Sequence, residues 1–250
     1  METIIPSTSA AFGALLKADF TTQWRNRRSV ILVLLVPVII CISWKGLVDK
    51  VGGAFVLSNC ITIGLIAIGL MGYSNSIARD RDKGIFQRLR VAPVPSWAIM
   101  ASRLTVQLAM IVLLTLVVYG AGYYFDHVTL TTSGYVLSFL AALVGGAVYL
   151  ALGQVIVGRI KNAETVNSTS RLIYLVFIMV GMFAELGVLY KTINDIEKWS
   201  PYGTVKSIVM ASMQPGAWTE HTTLAFLATM GYAIVFTFLG IKWFKWDSSK

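Results

Sequence analysis

Residues Ile77-Ala-Arg-Asp-Arg-Asp-Lys-Gly-Ile-Phe-Gln-Arg-Leu-Arg-Val-Ala-Pro-Val-Pro95 interrupt an otherwise apolar chain with seven charged side chains and two prolines. On either side the sequence stays apolar long enough to cross a bilayer, which takes about 20 helical residues at 1.5 Å rise. A segment this charged belongs in water, so it is a loop at a membrane surface and the runs flanking it are spans. The rest of the fold is counted outward from here.

Composition agrees with that start. The chain has 250 residues, 56% hydrophobic and 13% charged, with a mean hydropathy of +0.71, which excludes a soluble domain. The 21 Lys and Arg against 12 Asp and Glu would suggest nucleic acid in a soluble protein. Here their placement along the spans matters more, and no nucleic-acid partner is expected. Cys41 and Cys60 lie in apolar runs without CxxC spacing and far in sequence from His127 and His221. They read as small buried hydrophobes, and no metal site is expected. The first apolar run begins only near Val30, so no signal peptide is apparent and the first span is expected to act as its own insertion signal.

Upstream of that run, residues 10–28 place Phe12, Leu15, Leu16, Phe20 and Trp24 on one helical side, with Lys17, Gln23, Arg25 and Arg27 elsewhere. The pattern predicts an amphipathic helix in the headgroup layer, Phe20 and Trp24 at the acyl boundary and Arg25, Arg27 and Arg28 near lipid phosphates. A plain polar lead-in is the alternative. The first span is read from Val30 to about Val48, with Pro37 inside it and Lys45 snorkelling at its outer end. The second, about residues 53–78, carries Ser58, Asn59, Thr62, Gly64, Gly69, Gly72, Ser74, Asn75 and Ser76, small and polar groups that suit a helix facing protein or a cavity.

Beyond the charged stretch, the third span covers about residues 98–125, with Arg103 close enough to its inner end to snorkel. The fourth covers about 135–157 and shows small-xxx-small spacing at Ala141–Gly145 and Ala142–Gly146. An inner loop at 158–171 leads to a fifth span, Leu172 to Tyr190, and a sixth runs from Leu224 to Phe244. Residues 191–223 are the longest outer connection; Ile208, Val209 and Met210 suit short re-entrant or interfacial helices, with Trp199, Tyr202 and Trp218 at headgroup level. The fold expected is an all-α membrane protein, a single transmembrane domain over residues 1–250, with six spans behind an amphipathic interfacial helix.

Charge sets the orientation. With both termini on one side, that side holds sixteen of the Lys and Arg residues and the other holds five, while the acidic residues divide evenly. By the positive-inside rule the N- and C-termini and the central stretch, residues 79–95, are cytoplasmic. The formal glycosylation acceptor Asn167-Ser168-Thr169 then lies inside and stays unmodified.

No catalytic constellation is present: the chain has no HExxH, no GxSxG, no paired intramembrane aspartates and no Walker A loop, not even a Gly-Lys dipeptide. It reads as a non-enzyme that binds no cofactor of its own; if ATP drives it, another chain holds the ATP and Mg. Asp80 to about Arg90 can form a short helix with Ile85, Phe86 and Leu89 on one side and Lys83, Gln87, Arg88 and Arg90 on the other. Acids at its start and bases at its end would match the helix dipole, and Pro93 and Pro95 would stop it. Read from the residues alone, it is either a docking surface or an ordinary basic loop that only sets topology.

The basic amphipathic helix, the six spans and the inner-loop pattern Asp80-Arg81-Asp82-Lys83-Gly84-Ile85-Phe86-Gln87-Arg88-Leu89-Arg90-Val91-Ala92-Pro93 together resemble the type-2 permeases of ATP-binding-cassette exporters. The similarity covers essentially the whole chain and includes Ser200-Pro201 after the fifth span. Glutamates are usual in that family where Asp80, Asp82 and Gln87 stand, and a Thr-Leu pair where Ile85-Phe86 stands; Gln87 cannot form the ion pair a glutamate would. The resemblance implies a homodimer, or a heterodimer with a close relative, joined to two separate ATPase subunits. It implies that Asp80, Arg81, Asp82, Lys83, Gly84, Phe86, Gln87, Arg88 and Arg90 serve ATPase coupling. It also implies a substrate path along the second and fifth spans, near Asn59, Thr62, Met179, Met182, Phe183 and Glu185.

Export of an amphipathic drug-like molecule, lipid or glycan by alternating access, from a multi-pass position in a bacterial cytoplasmic membrane, is the expected function. Glu185 is either functional or a carboxyl paired with an outer-loop lysine. A six-span channel or secondary transporter without an ATPase is the alternative, and it would ask for more intramembrane charge or an internal repeat.

Overall fold

A computed structural model describes residues 7–91, 95–185 and 190–244, apart from the side chains of residues 28, 29, 32, 90, 91 and 185. Among the described residues every regular element is helical. Helix α1 (Thr8–Arg25) is capped by Ser7, whose hydroxyl accepts from the Ala10 amide at 3.3 Å. It ends at Asn26, so Arg27 opens helix α2 (Arg27–Ser43) instead of closing the amphipathic helix expected over residues 10–28.

Pro37 sits inside α2 without ending it. The helix stops at Trp44, whose ring stacks on Phe55 with centroids 6.5 Å apart, and a separate short helix α3 (Lys45–Val51) follows. The expected first span over residues 30–48 is therefore split. Lys45, Asp49 and Lys50 make α3 too polar to prolong the apolar run, whose helical core is Val33–Ser43.

Among the described residues, five helical units are long and apolar enough to cross a membrane. The first, Gly53–Asp82, joins helix α4 (Gly53–Ile66), a π turn (Ala67–Tyr73) and helix α5 (Ser74–Asp82) without a break. It is the centre of the molecule: Leu57, Ile61, Ile63, Leu65, Ile66, Ile68 and Leu70 are all buried, as expected of a helix that is apolar all round. A turn leads to the short helix α6 (Ile85–Val91). Helix α7 (Ser96–Asp126) and helix α8 (Thr132–Arg159) pack against the central unit. Where it crosses α8 the backbones touch: a Cβ on Gly153 would run into the Gly69 carbonyl, and one on Gly69 into the Tyr149 carbonyl.

Helix α9 (Ala163–Glu185) starts nine residues before the expected fifth span, because Asn162 caps it with a 3.0 Å hydrogen bond from the Thr165 amide. The inner loop is thereby reduced to residues 160–162. Residues 186–189 of that expected span lie outside the described residues, and its expected last residue, Tyr190, caps the next helix. Helices α10 (Lys191–Trp199) and α11 (Pro201–Met213) fill the long connection that precedes the last long helix, α11 capped by Ser200. Helix α11 packs inward against α4, α8 and the last long helix, α12 (Glu220–Trp243), and most of its residues are buried. The long helices at the periphery, α9 and α12, expose much of their apolar surface.

Candidate functional site

The charged stretch is not one helix. Its acids close α5, where Asp80 and Asp82 occupy the C-terminal turn, and Gly84, at φ 66°, turns the chain into α6. The Lys83 amide bonds back to the Arg79 carbonyl and the Gly84 amide to the Arg81 carbonyl, both at 3.0 Å. Lys-Gly in this position is a helix-ending signal, and it outweighs the dipole argument for a single helix from Asp80 to Arg90. The proposed stop at Pro93 lies outside the described residues.

Arg81 points into the protein and is 1% exposed. Its guanidinium donates to the carbonyls of Val157 at 2.8 Å, Ile160 at 2.6 Å and Lys161 at 2.8 Å. The last carbonyls of a helix have no partner within it, so a cation with a forked donor set is well matched to the end of α8. The next residue does the reverse: the Asp82 carboxylate accepts from the Ala163 amide, at the start of α9, at 3.3 Å. Two consecutive residues thus hold both sides of the 160–162 loop, each with the charge that its helix end prefers.

Asp80 turns toward α7. It pairs with Arg103, whose Nε is also 3.2 Å from the Asp19 carboxylate on α1. Ser102 donates to the other Asp19 oxygen at 2.6 Å. The Arg103 guanidinium lies 5.6 Å from the centre of the Phe86 ring, and Phe86, fully buried on α6, meets Phe244 edge to face at 6.2 Å. Arg103 therefore joins α1, α5, α6 and α7. Burial raises the Asp19 carboxyl above its ordinary value, against the opposing pull of Arg103 and Ser102.

The residues expected to serve coupling separate into two groups. Asp80, Arg81 and Phe86 bind inward and Gly84 supplies the turn, whereas Asp82, Lys83, Gln87 and Arg88 are exposed; Arg88 donates to the Lys83 carbonyl at 3.0 Å. The Arg90 side chain is outside the description. Asp19, Ser102 and Arg103 were missed as members of this cluster. Their only signals were an acid in an otherwise basic helix and an arginine just inside a span.

The expected path residues are not brought together within one chain. Asn59 and Thr62 are fully buried; Asn59 accepts from the Tyr202 hydroxyl at 2.6 Å and donates to the Phe55 carbonyl at 3.1 Å, while Thr62 donates to the Ser58 carbonyl at 2.8 Å. Met179 and Phe183 are on the exposed side of α9 and Met182 is half-buried; the Glu185 side chain is outside the description. On α1, Phe20 and Trp24 are exposed, the latter by 65%, as are Arg25 and, at the head of α2, Arg27; the Arg28 side chain is not described. Among the described residues no group of His, Cys, Asp and Glu is arranged to hold a metal ion.

Residues 10–213 match the family model for the ABC-2 type transporter. The chain belongs to this family. The matched region of the ABC-2 chain runs from α1 through α11 and contains every residue of the Arg81 and Arg103 clusters except their ring contact, Phe244. A relative from Bacillus subtilis (strain 168), "Putative transport permease YvfS", is 21% identical over 220 residues, covering 85% of this chain and 89% of the relative. With five long apolar helices among its described residues, the ABC-2 chain is a multi-pass membrane protein of a transport permease family.

Proposed function

We propose that this permease is the membrane subunit of an ATP-driven exporter, with ATP and Mg bound by a separate ATPase subunit and with two permease copies in the assembly. Its cargo is an amphipathic drug-like molecule, lipid or glycan, moved by alternating access across a bacterial cytoplasmic membrane. In this reading α2, with its apolar core Val33–Ser43, is the first span and brings the five long helices to six, and both termini are cytoplasmic as the charge count requires.

One observation carries the proposal. Helix α6 is held from behind, by Phe86 against Arg103 and Phe244, while Lys83, Gln87 and Arg88 face outward at the end of the most deeply buried span. A push on that outer face would reach α1, α5 and α7 through Arg103. The coupling surface is accordingly Lys83, Gln87 and Arg88, with Asp82 at its edge, and the inward-facing Asp80 and Arg81 act as its mounting.

The test is the double variant K83E/R88E, co-expressed and co-purified with an ATPase subunit that associates with the wild-type permease, and reconstituted in vesicles. Membrane insertion should be retained while ATPase association and ATP-dependent transport are lost. Normal ATP-dependent transport by this variant would overturn the coupling role, and transport in vesicles that lack any ATPase would instead favour a channel or secondary transporter.

A further inference from the structure

A cavity of about 580 Å³ opens between α2, the π turn, α5 and α9. That volume is in the usual range of small-molecule sites, about 300–1,000 Å³. Its lining changes character along its length. Val33, Val36 and Met71 form an apolar wall; Arg79 and Glu164 stand toward the Asn26 end, Asn75 is one turn further in, and Arg171, beside the Ser170 that meets Ser74, is deeper still. Asn26 marks the polar end of α2 and Val36 the apolar one, ten residues or about 15 Å of helix apart. That is about half the thickness of a bilayer core, the depth of one leaflet.

Three further features point to a ligand. Two guanidiniums and one carboxylate line the cavity, which leaves it net positive, and among the described residues neither Arg79 nor Arg171 is in an ion pair. Asn75 donates to the Met71 carbonyl at 3.0 Å and to the Asn167 side chain at 3.2 Å, but its buried Oδ1 accepts from nothing. Ala67 and Met71 belong to the π turn, and such turns recur at functional sites.

We propose that this cavity binds an anionic amphiphile, a molecule with a phosphate or carboxylate head and an apolar tail, taken from the cytoplasmic leaflet. Arg79 and Arg171 hold the acid head, Asn75 accepts from a hydroxyl or amine next to it, and the tail lies along Val33, Val36 and Met71. The inference rests on the exporter reading above and names the substrate class for it.

The test is equilibrium binding to the full-length permease in neutral detergent, using a fluorescent single-chain amphiphile with a phosphate monoester head. The same tail with a zwitterionic phosphocholine head is the comparison, and inorganic phosphate is the competitor. Saturable binding of the phosphate amphiphile is expected. It should fall about tenfold or more in R79Q/R171Q and recover in part in R79K/R171K, the factor being that of a lost charge-assisted hydrogen bond. V36W, which fills the apolar end without altering charge, should weaken it as well. K17Q/K242Q, which removes two cations outside the cavity, should not.

Equal binding by R79Q/R171Q, equal affinity for the phosphocholine analogue, or full displacement by inorganic phosphate alone would overturn the proposal. Repeating the titration in nanodiscs separates the two sources of such a ligand. Competition in phosphatidylglycerol discs but not in phosphatidylcholine discs identifies acidic lipids of the bilayer, retention in both identifies a separate amphiphile, and either outcome upholds the site. Because the readout is binding without ATP, a failed K83E/R88E test leaves it standing, and its own failure leaves coupling untouched.

Discussion

Arg81 donates to the backbone carbonyl of Val157 at 2.8 Å from a helix that ends one residue later. Seventy-six positions apart in sequence, the two make the charged end of the central span and the end of α8 one mechanical unit. Replacing Arg81 with Ala removes the donor to three carbonyls in a dry setting, and a loss of about 2–4 kcal/mol is expected. Lys keeps the charge without the fork and should recover only part of it. Thermal unfolding in detergent, followed by tryptophan fluorescence, gives both numbers; an unchanged melting temperature in R81A would contradict the assignment.

Arg103 should prove more sensitive than either of its acids. Its removal leaves Asp19 and Asp80 mostly buried and facing each other, whereas D80N or D19N still leaves one ion pair. A double-mutant cycle between Arg103 and Asp80 is expected to show a coupling energy of about 1–2 kcal/mol. Additive effects of the two substitutions would show that the pair contributes nothing.

A pH dependence follows from Asp19. Burial raises its carboxyl above the ordinary value of 3.8, so the folded protein takes up this proton at higher pH than the unfolded chain does. The ionised carboxylate is therefore a stability penalty, fully present above the folded value and relieved as the pH falls through it toward 3.8. Wild type should gain stability relative to D19N over that acid window. Melting curves of the two proteins from about pH 7 down to about pH 4 would show the gap narrowing or reversing; parallel curves would exclude the effect.

Gly84 takes a left-handed conformation between α5 and α6, at φ 66°. Alanine there should cost about 1–2 kcal/mol, and asparagine less. The larger consequence is expected in transport, since the turn sets the direction in which Lys83, Gln87 and Arg88 point. A G84A protein that is slightly less stable and much less active fits this role; equal losses of stability and activity do not.

Much of the architecture was legible in the sequence because bilayer thickness translates directly into run length. The helices at 96–126, 132–159 and 220–243 follow from the apolar runs, and Ser200-Pro201 marks the start of α11. Local patterns failed where a distant segment decided the outcome. Arg81, in the middle of a charged run, reads as solvated, and nothing nearby shows that residues 157–161 lie against it. Asn59 reads as a path residue, and its partner Tyr202 is 143 positions away. The split at Trp44 and the break at Gly84 had local signals, the charges of α3 and the Lys-Gly pair, but the apolar run and the dipole pattern were given more weight.

The π turn at Ala67–Tyr73 has one more consequence. A π turn is an α-helix carrying one surplus residue, and each residue of α-helix is worth about 100° of rotation. Deleting a single residue between 67 and 73 would restore the regular helix and leave the two flanking segments close to their present phase, because the wider π turn already absorbs the surplus residue. Asn59 would still face Tyr202 and Arg81 would stay on α8, whereas a deletion in the regular helix between 74 and 79, with no bulge to compensate it, would swing Arg81 off α8 and Asp80 off Arg103 by about 100°. The phase between the two ends of the central span is set by matching one surplus residue to one wide turn, so the Asn59 end and the charged end stay aligned only while the two are kept or lost together.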